Sequence, residues 1–564
     1  MKNLKYIILL SFLVASCAKL DLNPLSEASS DNWNQNEEQI SMSLNDLYRD
    51  YLFYNEINVR VERFTDNWTH RQSPEAFVAG TINGRWDVAQ TVWANQYKVI
   101  ARANVILRDI NEKSPDVPAE KLNQFRGEAR MMRAIAYAKL IFLYGDVPFS
   151  QTYLSIEDAF DMGRTDKQII LDSIYADFDY AASVLPLTYG GDELKRGTKG
   201  MAYGFKARTA LNMGDFAIAR DAAKACMDLG VYELYPDFAE YFKPTTKNAK
   251  ETIYAVPRSE ELGEYWTTTN FITRNAGGSA TAQPSWDLMC AFPCTDGKPI
   301  DESDLYDPQH PFRNRDPRLA ATIVEFGTPH LGYIYDPSPY ATQVMDVNTG
   351  QMVANNDSRA VNQYASYNGL ILNKGVDESW GGEMRTDFDI IVMRYAEILL
   401  IYAEAKIELN ELDASMLEAI NTVRARAYGV NVNDVAHYPE VENLGQTYLR
   451  KTVRNERRIE FAWENRRFYD LIRWHLAEKA LTRPIFGMLD PQQLKEKVYD
   501  KGLWFFPGTP DIDEDGLPDF SKMYDAGLIK LLLPRSFDKE RQYLWPIPTK
   551  EILINPNLEQ NPGY

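Results

Sequence analysis

The strongest constraint on what this chain can fold into is a plan used twice. Residues 198–230, TKGMAYGFKARTALNMGDFAIARDAAKACMDLG, and residues 392–429, VMRYAEILLIYAEAKIELNELDASMLEAINTVRARAYG, each read as two helices around a tight turn. Gly214 makes the first turn and NELD, residues 410–413, the second. Ala, Leu and Gly fall where closely packed helices need small or apolar side chains. A unit of about 34 residues like this cannot bury its apolar face alone, so it has to stack on neighbours.

Such neighbours lie upstream. Apolar residues at helical spacing mark residues 37–53 (Ile40, Leu44, Leu47, Leu52), 93–110, 120–145 and 166–185. The third of these stops at Gly145, with Pro148 beyond. Trp93 shares the spacing of Tyr97 and Ile100 and is expected in the core. Two stretches, about 230–385 and about 484–564, are rich in Pro, Gly, Asn and Tyr and read as loops. The expectation is a mainly α fold, a helical-repeat scaffold that resembles tetratricopeptide units, with long irregular loops and a few short strands. Function is expected on the loops.

The N-terminus carries an address. Lys2 and Lys5 precede an apolar run, Tyr6 to Val14, that is too short to span a bilayer, which needs about 20 residues. Ala15 and Ser16 then precede Cys17, so residues 1–16 read as a signal peptide and LVASC resembles a bacterial lipobox, with Cys17 as the lipidated first residue. An ordinary secretory signal is the alternative. Residues 17–32 read as a polar tether and 33–564 as one domain. Net charge is −19, which argues against nucleic acid or anionic lipid as a partner of the body. Cysteine is scarce: besides Cys17 there are Cys226, Cys290 and Cys294, and the last two could bridge a tight turn or stand as separate buried thiols.

Several stretches resemble the SusD/RagB family of Bacteroidota outer-membrane lipoproteins. They are EARMMRAIAYAKLIFLYGDVPF (128–149), DLMCAFPCTDGKPI (287–300), RNRDPRLAATI (313–323), RYAEILLIYAEAKIEL with AINTVRARAYG, RNERRIEFAWENRRFYDLIRW (454–474) and the closing LWPIPTKEILINPNLEQNPGY. The matches run in family order from the lipobox to the last residue. The resemblance implies a non-catalytic, surface-exposed, lipid-anchored glycan-binding protein of the outer membrane. It would capture oligosaccharide and close as a lid over a SusC-like, TonB-dependent transporter. The arginines and glutamates of 454–474 have a plain structural reading as i, i+3 and i+4 pairs among packed Ile459, Trp463, Leu471 and Trp474.

Sugar recognition needs a flat aromatic face and planar polar groups for the hydroxyls. The densest local supply is residues 62–86, with Asp66, Asn67, Trp68, His70, Arg71, Arg85 and Trp86 in a stretch of poor periodicity. Trp68 and Trp86 are the first choices for platforms, and a place in the helix core is the competing reading for each. EYWTTTN adds Tyr265, Trp266 and Asn270, and ESWGGEMR adds Trp380; Tyr364 and Tyr367 are weaker candidates, while Trp286 reads as core. The expected ligand-binding set is Asp66, Asn67, Trp68, Arg71, Trp86, Trp266 and Trp380.

PDIDEDGLPDF gives a separate signal. Asp511, Asp513, Asp515 and Asp519 alternate around Gly516, a spacing that lets carboxylates converge on Ca²⁺ with the Leu517 carbonyl. Lys522 stands where an EF-hand has its bidentate Glu, so a shorter structural Ca²⁺ loop is expected, against a solvated acidic turn. A surface glycoside hydrolase is the alternative function, but no motif supports its carboxylate pair. A family member that binds peptides or only gates the barrel is a further alternative. His70, His310, His330, His437 and His475 are scattered, with no metalloprotease spacing.

Overall fold

The computed structural model describes residues 33–49 and 52–564. The signal peptide, Cys17 and the tether lie outside the described residues. Helices α1 (Glu37–Asn45), α2 (Asp87–Glu112), α3 (Ala119–Tyr144), α4 (Lys167–Val184), α5 (Lys199–Met213) and α6 (Phe216–Met227) occupy the first part of the chain. Helices α7 (Tyr395–Glu408), α8 (Ala414–Ala427), α9 (Gln446–Glu460) and α10 (Arg467–Arg473) follow the long loop region. Among the described residues no helix is long and apolar enough to cross a membrane.

The helix ends follow from local chemistry. Asn36, Asp166, Thr198 and Asp413 each accept a backbone N–H in the first turn of the helix they precede, relieving donors that have no intrahelical partner. Gly214 closes α5 at φ +83°, a left-handed conformation that costs a glycine little. The first helix is shorter than its periodicity suggests: it ends at Asn45 and tightens into a 3₁₀ turn, Asp46–Tyr48, though Leu47 and Leu52 remain buried.

Each helix from α2 to α8 packs on the next, so α6 of the first pair lies against α7 of the second. The intervening excursion leaves the stack and comes back to it. Strands β1 (Thr252–Val256) and β8 (Ile390–Arg394) mark its two ends and pair antiparallel, Thr252 facing Arg394. Within the excursion β2 (Trp266–Thr267) pairs with β7 (Arg385–Thr386), and β3 (Pro329–His330), β4 (Tyr333–Ile334), β5 (Gln343–Asp346) and β6 (Gln351–Ala354) form an antiparallel meander. Past α10, β9 (Ile485–Gly487) pairs with β12 (Lys530–Leu533), and β10 (Asp511–Ile512) with β11 (Pro518–Asp519).

Two large apolar cores result. One fills the helix stack; the other sits under the loops around Trp68, Trp286, Trp380, Trp463 and Phe506. The stretch that starts with α9 joins them, with Leu449 and Val453 in the first core and Ile459, Ala462 and Trp463 in the second. Its charged residues are buried too, and they pair across the fold rather than along the helix. Arg318, Arg394, Arg424, Arg426 and Lys374 face Asp316, Glu251, Glu456, Glu460 and Glu464. The i, i+3 and i+4 pairing expected for residues 454–474 is therefore corrected in its geometry: of the pairs made there, Arg473–Asp470 is local, and Arg457 reaches 13 residues along to Asp470. Signs balance in the large cluster, which is the condition under which buried charge is tolerated.

Candidate functional site

Most of the sequence-expected aromatic platforms are buried. Trp86 is 8% exposed, edge-on to Trp545 at 4.8 Å and packed on Phe64 at 5.5 Å. Trp68 is 5% exposed and stacks on Trp463 at 4.6 Å. Trp380 is 3% exposed and stands perpendicular to half-buried Trp266, whose Nε1 donates to the Phe388 carbonyl at 3.2 Å. Trp68, Trp86 and Trp380 therefore present no open ring face, and their place as platforms is corrected to packing. Trp266 keeps partial exposure and lines a small cavity of about 130 Å³ with Trp380, Trp463, Phe271 and Lys374. Trp93 and Trp286 are core residues, as their spacing suggests.

Asp66 and Asn67 are also buried, and both are spent on structure. The Asp66 carboxylate accepts from Arg458 at 2.9 Å and from Arg467 at 2.8 Å. Burial alone would raise its pKa, but the two arginines outweigh that and hold it well below the usual carboxylate range. Asn67 donates to Glu62 at 2.9 Å and accepts from Arg458 at 3.2 Å. His70 bonds the Arg63 carbonyl, and burial brings its pKa down to about 4, which leaves it neutral.

Both candidate arginines of that stretch reach a surface, exposed Arg85 and half-buried Arg71. The Arg71 guanidinium lies 5.9 Å from the Tyr364 ring centroid and 5.7 Å from that of Tyr367. Tyr364 is 46% exposed. Arg274 approaches the same ring at 5.8 Å and donates to the Tyr364 and Ser279 carbonyls. Ser279 and Thr281 donate in turn to the Asn270 side-chain oxygen, and Asn270 lines a recess of about 110 Å³ with Arg60, Arg63, Thr267 and Phe271. Residues 60–71, 267–281 and 357–367 thus meet on one face, which offers an open aromatic ring, several guanidinium groups and an exposed amide.

A second concavity is larger, about 440 Å³, and runs between α2 and residues 148–162. Several of its polar side chains are already satisfied inside the protein. Asn104 donates to the Ser150 and Thr152 carbonyls, the Tyr97 hydroxyl to Pro148, and Asn555 to Met162. Few free polar groups are left there, whereas the Tyr364 face keeps an open ring and several guanidinium groups.

Comparison with known proteins decides the family. The model described as "SusD family" matches residues 239–564, and one described as "Starch-binding associating with outer membrane" matches residues 20–211. The chain belongs to the SusD family. SusD-like protein P2 of Formosa agariphila is 27% identical over 509 residues, covering 88% of this chain and 84% of that one. A SusD-like carbohydrate binding protein of Bacteroides fragilis superposes with a TM-score of 0.76 at 27% identity, over 93% of this chain and 99% of that one. Surface glycan-binding protein A of Bacteroides fluxus has the same fold, with a TM-score of 0.62 at 19% identity over 94% and 100% of the two chains.

In this SusD-family chain the acidic turn 511–519 does not fit Ca²⁺ as it is folded. Asp511 and Asp519 are paired across the β10–β11 hairpin, Asp511 faces Lys522 at 2.6 Å, and Asp515 faces Lys479 at 2.5 Å. Asp513 is taken by Arg483 and by Lys479. Among the described residues no group of three or more His, Cys, Asp or Glu side chains is placed to hold a metal ion. Three carboxylates of the expected Ca²⁺ loop are thus engaged by lysine and arginine, and the Leu517 carbonyl accepts the Asp513 N–H. The cysteine alternatives also resolve: Cys290 and Cys294 are separate buried thiols, and burial pushes Cys290 up to about 12.

Proposed function

We propose that this protein is a non-catalytic glycan-binding lipoprotein of the outer membrane. It captures oligosaccharide on the Tyr364 face and passes it to a SusC-like, TonB-dependent barrel, over which it acts as a lid. The observation that carries the reading is the half-exposed Tyr364 ring between Arg71 and Arg274, beside the recess of Arg60, Arg63 and Asn270. An aromatic face covers the apolar side of a pyranose, and the guanidinium and amide groups around it suit hydroxyls. Family membership and the carbohydrate-binding relative support the same reading. Lipidation at Cys17 would hold the body at the membrane. Stable anchoring needs more than one acyl chain, at about 0.8 kcal/mol per buried CH₂.

Affinity electrophoresis against a polysaccharide panel, with product analysis, tests the proposal. Retardation by a glycan without release of reducing ends is expected. Tyr364→Ala should weaken it about fivefold with an unchanged melting transition, since the ring is open and a stacking contact contributes about 1 kcal/mol. Release of reducing ends, or indifference to Tyr364→Ala, would count against the reading. Cys17→Ala should move the protein out of the membrane fraction, and pull-down of the wild type should bring a large outer-membrane barrel with it.

A further inference from the structure

The chain is strongly acidic, and most of its arginines are matched to carboxylates, deep in the core as well as at the surface. The Tyr364 face departs from that pattern. Among the described residues Arg71 makes no ion pair or hydrogen bond; its Nε and Nη1 lie buried without a partner, and its contacts are the rings of Tyr364 and Tyr367. Arg60 has no carboxylate partner among the described residues either, and lies over the Tyr54 ring at 4.3 Å. Arg274 donates to carbonyl oxygens alone, and Arg63 reaches Glu75 at a loose 3.5 Å.

The anions near this face neutralise it only in part. Asp357 is occupied by the backbone N–H groups of Arg274 and Asn275. Asp490 is shared between Arg359 and Lys530. Glu75 is left for Arg63. Among the described residues, four guanidinium groups on Arg60, Arg63, Arg71 and Arg274 thus surround a half-exposed ring and a polar recess with two carboxylates between them, Glu75 beside Arg63 and Asp357 beside Arg274. In a chain of net charge −19, such a local excess of guanidinium suits negative charge from outside. Neutral hydroxyls are read as well by Asn, Gln and Asp; a planar fork of N–H donors matches the paired oxygens of a carboxylate or a sulfate ester.

We infer that the glycan taken on this face is anionic, an oligosaccharide bearing uronate carboxylates or sulfate esters, with Arg60, Arg71 and Arg274 reading the charge and Tyr364 the ring. This rests on the glycan-binding reading above. It also requires that the patch draw its ligand in by charge, so affinity should fall steeply with salt.

The test is isothermal titration of the full-length protein with three sets of oligosaccharides of equal length: oligogalacturonides, sulfated galactan fragments, and neutral galactan and xylan fragments. One of the two anionic sets should bind at least tenfold tighter than the neutral ones, and the preferred set tells carboxylate from sulfate. The preference should collapse between about 0.05 and about 0.5 M salt. Arg71→Ala and Arg60→Ala should each cost about tenfold for the anionic ligand, the loss of one charged hydrogen-bonding partner, and little for a neutral one. Arg71→Lys should recover part of the loss, since it keeps the charge and not the fork. Melting curves of the variants check that they fold. Equal or tighter binding of neutral fragments overturns the charge inference and leaves the glycan-binding reading standing. Absence of binding to every set overturns both.

Discussion

Glu460→Gln isolates the charge balance on which the junction of the two cores depends. Glu460 is fully buried; its Oε1 accepts from Arg394 at 2.7 Å and from Arg426, and its Oε2 from Arg318 at 2.9 Å. The substitution keeps the shape and one acceptor but turns an N–H₂ toward one of these guanidinium groups. Five buried cations would then face four carboxylates. Leaving one buried charge without its partner costs about 3–5 kcal/mol. Burial by itself would raise the Glu460 pKa, but Arg426, Arg394 and Arg318 overcome it and hold the carboxyl well below the ordinary range. A carboxyl with a depressed folded pKa stabilises the protein above its unfolded pKa of about 4.3, and that contribution is lost as pH falls toward the folded value. The variant should therefore unfold in urea about 3–5 kcal/mol more easily than wild type at pH 7, and the gap should close as pH drops below about 4. A gap under about 1 kcal/mol at pH 7, or one that is constant down to strong acid, would refute the balance argument.

Two further outcomes follow from the corrected residues. Trp86→Ala and Trp68→Ala should each destabilise by about 3–5 kcal/mol in urea unfolding, as expected for large aromatic side chains removed from a core; a neutral stability effect with lost glycan binding would restore them as platforms. Calorimetric titration of chelator-treated protein with Ca²⁺ should give no saturable heat up to millimolar ion, because Lys479, Arg483 and Lys522 already neutralise the acidic turn; tight uptake would show that the turn rearranges around the ion.

What could be read from the sequence divides along a physical line. Periodicity is local, so α2 to α8 and the turn at Gly214 were legible, as was the loop character of residues 230–385. Position relative to the core is not local. Trp86 and Trp68 sit in a stretch with weak periodicity, and a tryptophan there reads the same whether it faces water or Trp545 and Trp463. The buried charges fail the local reading for the same reason: Asp66 meets Arg458 and Arg467 across about 390 to 400 residues, beyond any spacing rule. Arg71 was legible as a candidate by residue type, and Asn270 by its loop. Their union with Tyr364 and Arg274 required β1 and β8 to bring the excursion back onto the helix stack. Arg60 and Arg63, on a short 3₁₀ helix, carry no motif, and which arginines lack a carboxylate is not visible in the sequence.

The central claim is where the glycan sits. Hydrogen–deuterium exchange on the full-length protein, with and without a saturating glycan that retards it in affinity electrophoresis, reads that directly. Slower exchange in residues 60–71, 267–281 and 357–367 is the predicted result. Protection confined to residues 93–105 and 148–162, along the apolar concavity beside α2, would contradict the account.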